Sequence, residues 1–229
     1  MNSDTKRDTN SDMNTVYPAM RECASQAARI ATAVPAGRLT APTPSAEWDV
    51  RALVNHLVLY TSHGLEYRAR RTEMPGTLTA RDFTADADWP ERYGVALESA
   101  VAAWAEPAVW EGDIGEGGGA TPAATVAALM TLEMALHGWE LARATGQEFR
   151  LSEGTAAFVL AVVDEYAEMY RQYDGFAEPL PVRASATTFD RALAASGRDP
   201  LWAVEGGADD QAEFAPARSA TGGTPPGKG

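Results

Sequence analysis

The chain is poor in cysteine, histidine and basic residues, and it has no apolar run of the roughly 20 residues that a bilayer span requires. Its single cysteine, Cys23, excludes an internal disulfide and fits a reducing compartment. Cys23 lies between Met20 and Ile30 at helical spacing, so packing is expected of it rather than nucleophilic chemistry. Nineteen Lys and Arg face thirty-two Asp and Glu, a net charge of -13 that argues against nucleic acid or anionic membrane as the main partner. Basic clusters such as Arg68 to Arg71 are short, and this one reads as a solvated helix end. The N-terminus is polar rather than signal-like, and the expectation is a soluble, cytoplasmic protein. Strand signals are few. The glycines from 112 to 119 lack the Lys-Ser/Thr of a phosphate loop and read as a plain connection.

What remains is helix. A polar arm over 1–13 is expected to be disordered, and so is the Gly/Pro-rich tail over 205–229. Between them, 14–204 form one domain. A first helix runs from about Val16 to Ala33, with Met20, Cys23, Ala27 and Ile30 inward. A proline-rich linker, Thr40 to Ser45, leads through an N-cap region at Ser45 and Trp48 into a second helix that reaches Arg71. The third spans about Trp89 to Ala105 and the fourth Pro122 to Thr145. The fifth, from a Ser152 cap to Tyr173, buries Phe158, Val162, Tyr166 and Met169. A short helix follows near Thr188 to Ser196. The fold class is all-α, an antiparallel four-helix bundle with an extra short C-terminal helix, helices two and four facing across the core.

Two polar residues interrupt the fourth helix. Glu133 and His137 stand one turn apart on a stripe with Val126, Leu129, Met130 and Leu141. A carboxylate on a buried face is costly unless paired or bound to a cation. A buried Glu/His ion pair, a face that is solvated, and a metal site are all open on this pair alone. His56 shifts the balance. It borders the apolar stripe Val50, Leu53, Val54 and Leu57 of the second helix, and a second stripe, Leu53, His56, Tyr60, His63 and Tyr67, runs beside it. Two His and one Glu on inward faces of one bundle make a facial set that leaves metal positions open. His63 is either a fourth ligand or a rim residue. Glu140 either holds a ligand His in its tautomer or pairs with Arg143. Tyr67 and Trp139, with Tyr60, either line a pocket or belong to the core.

The motifs Glu47-Trp-Asp-Val-Arg-Ala-Leu-Val-Asn-His56-Leu-Val and Glu133-Met-Ala-Leu-His137-Gly-Trp-Glu-Leu-Ala-Arg-Ala-Thr-Gly146 resemble those of the DinB-like metal-binding bundles related to the N-terminal domain of mycothiol-dependent maleylpyruvate isomerase. The resemblance covers most of the chain, and the end, Gly197-Arg-Asp-Pro-Leu-Trp, looks like that of short single-domain members. It implies a divalent metal, zinc first and Ni2+ or Fe2+ as alternatives, on His56, Glu133 and His137. The isomerase has a further C-terminal domain that the stretch after the fifth helix is too short to supply, so isomerisation of maleylpyruvate itself is not expected. Short relatives carry small glycines after the first His, where this chain has Leu59-Tyr60-Thr61, which places Tyr60 as the candidate catalytic residue.

The function follows from what fills the open metal position. A thiol such as mycothiol would be presented as a thiolate at neutral pH, giving S-transfer or isomerisation of a small electrophile. Water in its place would give a hydrolase, a cyclase or a self-protection enzyme for a reactive natural product. A non-enzymatic metal- or ligand-binding bundle is the third reading. The partner expected is a small molecule, and the chain is expected to be a monomer or a homodimer.

Overall fold

The computed structural model describes residues 2–115 and 119–204, so the tail expected over 205–229 lies outside the described residues. Helix α1 (Asn2–Thr32) is followed by a 3-10 turn, then α2 (Val50–Leu57), a π-helical segment (Val58–Gly64) and α3 (Leu65–Ala69). A short α4 (Gly76–Thr79) precedes α5 (Trp89–Ala103). Two-residue antiparallel strands, β1 (Asp113–Ile114) and β2 (Thr121–Pro122), lead into α6 (Ala123–Ala144), α7 (Glu153–Gln172) and α8 (Thr188–Ala195). Among the described residues no helix is long and apolar enough to cross a membrane.

The bundle is assembled around α6, which packs against α1, α2, α7 and the π segment, while α5 covers α1 and the π segment and α8 covers α7. Its core matches the apolar spacing of most helices. Met20, Cys23, Ala27 and Ile30 of α1 are buried, as are Val50, Leu53, Val54 and Leu57 of α2 and Tyr93, Leu97 and Trp104 around α5. Each large apolar side chain so enclosed contributes about 1.5–3 kcal/mol.

Four sequence expectations shift. The backbone of α1 is helical from Asn2, ahead of the start expected near Val16; propagating a formed helix costs far less than nucleating one. The cap of α2 is Asp49, whose side chain accepts from the Ala52 amide at 2.8 Å, and not the Ser45 region. The buried face of α7 is centred on Val159, Val162 and Val163, which leaves Phe158 and Tyr166 half-buried and Met169 40 % exposed. Finally, the expected second helix is continuous but changes winding at Val58. There the hydroxyls of Thr61 and Ser62 bond the carbonyls of Leu57 and Val58, both at 2.6 Å, and Thr61 also meets the Tyr93 hydroxyl at 2.8 Å. Such side chains compete for backbone acceptors and loosen the ordinary ladder.

Candidate metal centre

The stripe of α6 that carries Glu133 is not its most buried face. Leu132, Met134, Ala135 and Leu136 are sealed in the core, whereas Leu129, Met130 and Glu133 are half-buried and look toward solvent-accessible space. Because α6 is apolar on almost every side, its sequence has no strong phase from which the open face could be read. His137 lies one turn beyond Glu133, and Gly138 beside it lets the helix approach its neighbours. A Cβ at Gly138 would come within 2.9 Å of the Phe149 ring.

His56, Glu133 and His137 converge. The Nε2 atom of His56 lies 3.0 Å from Glu133 Oε2, and His137 Nε2 lies 3.2 Å from the same oxygen. The ligating atoms of the three residues all lie within 4.8 Å of one another. Bonds of about 2.0–2.2 Å to a tetrahedral ion place neighbouring ligand atoms about 3.3–3.5 Å apart, so the set is already near the spacing a divalent ion needs. The side chains of His56 and Glu133 remain 21 % and 18 % exposed, so one side of the set is accessible.

Behind the triad the polar groups are satisfied. Glu140, only 1 % exposed, takes the Nδ1 proton of His137 at 2.7 Å with one oxygen. Its other oxygen accepts from Arg198 Nε at 2.7 Å and from the Ser45 hydroxyl at 3.0 Å. A carboxylate has only acceptors to offer, so Nδ1 must carry hydrogen and Nε2 is the atom free to take a metal. Glu140 is therefore the carboxylate that orients the ligand, and Arg143 is not its partner: Arg143 bonds the Trp202 carbonyl instead. Burial opposes the charged forms here, yet the His137 and Arg198 cations hold Glu140 down at about 2. Burial likewise lowers His137, but the Glu140 and Glu133 carboxylates outweigh it and raise the imidazole to about 9. Glu133, against its own burial, is held below the usual carboxylate range by His137 and His56.

Aromatic rings complete the walls. Trp48 packs against His56 and His137, with centroids 4.7 and 5.5 Å away, and Tyr60 packs against His56 at 4.7 Å, all three as tilted contacts. Trp48 is held by a turn in which Thr43 Oγ1 bonds its carbonyl at 2.9 Å, so the proline-rich segment is a built support for the site. From α7, Tyr170 faces Glu133; burial, then the charge and hydrogen bonding of that carboxylate, raise the phenol. Tyr170 stacks on Phe176 at 4.5 Å, and the Arg198 guanidinium lies over the same Phe176 ring at 5.4 Å.

The other expected residues are placed elsewhere. His63 stacks on Phe83 at 5.4 Å, outside the triad, because the π winding rotates it away from His56. Trp139 is buried in the core. Tyr67 lines a cavity of about 880 Å3 between α3, the β1–β2 hairpin and the first half of α6, whose lining includes Met130, one helical turn before Glu133. Ser45, Trp48, Tyr170 and Arg198 were invisible to spacing arguments. The only sequence signal for Arg198 is the Gly-Arg-Asp-Pro-Leu-Trp motif in which it stands.

Residues 20–142 match the family model of the mycothiol maleylpyruvate isomerase N-terminal domain. The chain belongs to this family. The match holds all three members of the triad and Glu140, whereas Tyr170 and Arg198 lie beyond it. No curated protein and no solved structure matches the chain.

Proposed function

We propose that the protein is a divalent-metal-dependent enzyme that transfers a low-molecular-weight thiol, mycothiol in the first instance, to a small electrophile, or isomerises the electrophile by reversible thiol addition. The observation that carries the reading is the convergence of two imidazole nitrogens and one carboxylate with one side left accessible, backed by a buried carboxylate on His137. A divalent ion, zinc by donor type, supplies Lewis acidity to a thiol or water at its free positions.

The chain's own residues do the rest. His56, Glu133 and His137 would hold the ion, and Glu140 fixes the His137 tautomer that offers Nε2. One carboxylate and two neutral imidazoles leave a net positive charge on a dication, which favours a thiol in its anionic form. Trp48 and Tyr60 sheathe His56 and keep its ring in register. Family membership supports the thiol, since the domain is named for a mycothiol enzyme.

Metal analysis of protein purified without chelator tests the first half. Wild type is expected to carry close to one equivalent and His137→Ala almost none; equal contents would break the site. The second half is tested by mass spectrometry after incubation of zinc-loaded protein with mycothiol and a panel of electrophiles. Thiol-dependent adducts or isomers are expected. Turnover without thiol would move the reading to a hydrolase or cyclase, and a loaded protein inert across the panel would leave a binding bundle.

A further inference from the structure

Among the described residues, one cation that lines the cavity beside α3 has no carboxylate within ion-pair distance. Three arginines stand at the end of α3, and the structure separates their roles. Arg70 is exposed and pairs with Glu66 at 2.6 Å. Arg71 is taken up by backbone, bonding the carbonyls of Val109, Glu111 and Asp113 and so pinning the hairpin that forms one cavity wall. Arg68 is half-buried and lines the cavity. Among the described residues it donates to the Gly64 carbonyl of its own helical stretch at 3.0 Å, and no carboxylate lies within ion-pair distance of it. A guanidinium has five N–H donors and stays charged in proteins, so most of this fork is free to take a ligand.

The surroundings say what kind. Val126, Leu129 and Met130 give the cavity an apolar floor along α6. Met130 stands three residues before Glu133, so the floor runs to the triad. Arg68 lines the wall facing this floor, at the end of the helical stretch that also carries His56. Glu73 and Asp113, also on the wall, are negative, so an anionic group is favoured only where Arg68 meets it, and each further negative charge adds to the repulsion. A volume of about 880 Å3 is that of a pocket for a drug-sized molecule, far beyond a small dicarboxylic acid.

We propose that this cavity is the electrophile's pocket and that Arg68 is its specificity-determining residue, holding the carboxylate of a bulky, otherwise apolar monocarboxylic acid whose far end reaches toward His56, Glu133 and His137. The flat fork of Arg68 suits a carboxylate in bidentate contact, and among the described lining residues it is the cation not taken up by loop carbonyls, which suits one carboxylate. The pocket's role in turnover rests on the metal reading above; the acid-binding site itself does not.

Calorimetric titration of the full chain with 4-phenylbutyrate, and with its primary amide as a shape-matched neutral control, tests the proposal. The acid is expected to bind about tenfold or more tightly than the amide, since hydrogen bonds to charged groups are the strong ones. Arg68→Met, which keeps the stem, is expected to erase that preference, and Arg68→Lys to restore part of it. Met130→Trp, which fills the pocket from the opposite wall, is expected to block both compounds and stands in if the Arg68 variants do not fold. His137→Ala is expected to bind the acid as wild type does. Equal affinity for acid and amide, acid binding untouched by Arg68→Met or by Met130→Trp, or no binding of either compound would each overturn the proposal. Zinc content is expected to be unchanged in the Arg68 and Met130 variants, so loss of the metal site and loss of the acid site are read separately.

Discussion

The two histidines of the triad are held by different physics. His137 is fixed by charge: its Nδ1 proton sits on a buried carboxylate that is itself gripped by Arg198 and Ser45. His56 has no such buried carboxylate behind it: the rings of Trp48 and Tyr60 pack against it, and its Nε2 meets the half-buried Glu133 alone. A charge clamp in a dry setting is strong and intolerant of losing either partner, whereas ring packing is weaker and degrades gradually. Metal affinity should therefore depend on the His137 side far more than on the His56 side, and adaptation to different ligands belongs to the His56 side.

Glu140→Ala is the sharpest way to break this contrast. It leaves Arg198 without its carboxylate and His137 with Glu133 alone, and a loss of about 3–5 kcal/mol in unfolding free energy is expected, with zinc affinity lowered about 10–100-fold. Chemical denaturation of the metal-free protein and competition with a chromogenic chelator measure the two effects.

Next comes pH. His137 is raised from its ordinary 6.5 to about 9, so its contribution to the stability of the metal-free fold is complete below about pH 6.5 and is lost as pH rises through about 9. Glu140 is lowered from 4.5 to about 2, so its contribution is present above about pH 4.5 and is lost as pH falls through about 2. Metal-free protein should thus be most stable between about pH 4.5 and 6.5. Zinc requires the neutral imidazole, so its affinity should climb with pH over the range where the metal-free fold weakens. Melting curves with and without zinc from pH 5 to 9 check the opposed slopes; parallel slopes would remove the clamp from the account.

Arg198→Gln should act in the same direction as Glu140→Ala but less, since Ser45 still bonds Glu140. A drop of about tenfold in zinc affinity is expected by the same competition. The smallest effect is expected of Trp48→Leu, which keeps bulk but removes the ring. Zinc affinity should fall no more than about threefold, at the scale of an aromatic contact. A loss as large as that of Glu140→Ala would erase the distinction between the two histidines.

The same contrast explains what could be read from the sequence. His56, Glu133, His137 and Glu140 are legible because each sits at helical spacing on a long segment, where local periodicity sets direction. The clamp's outer members are not, because Ser45 and Arg198 reach Glu140 across 95 and 58 residues of chain and nothing local announces them. His63 shows the limit from the other side: its spacing from His56 is that of a regular helix, and the π winding after Val58 breaks the count. Arg68 shows it again, since a cluster that reads as one solvated helix end divides into an exposed, a backbone-bound and a cavity-lining side chain.

A protein acting on thiols and electrophiles, as proposed above, risks becoming its own target. Cys23, the chain's single cysteine, is inaccessible in the middle of α1, and burial raises its thiol well above the ordinary value. Neither an alkylating molecule nor a disulfide partner can reach the sulfur without opening the bundle, and little of it would be ionised if one did. Resistance to self-modification thus comes from the placement of one side chain, and alkylation of Cys23 would serve as a direct clock for unfolding.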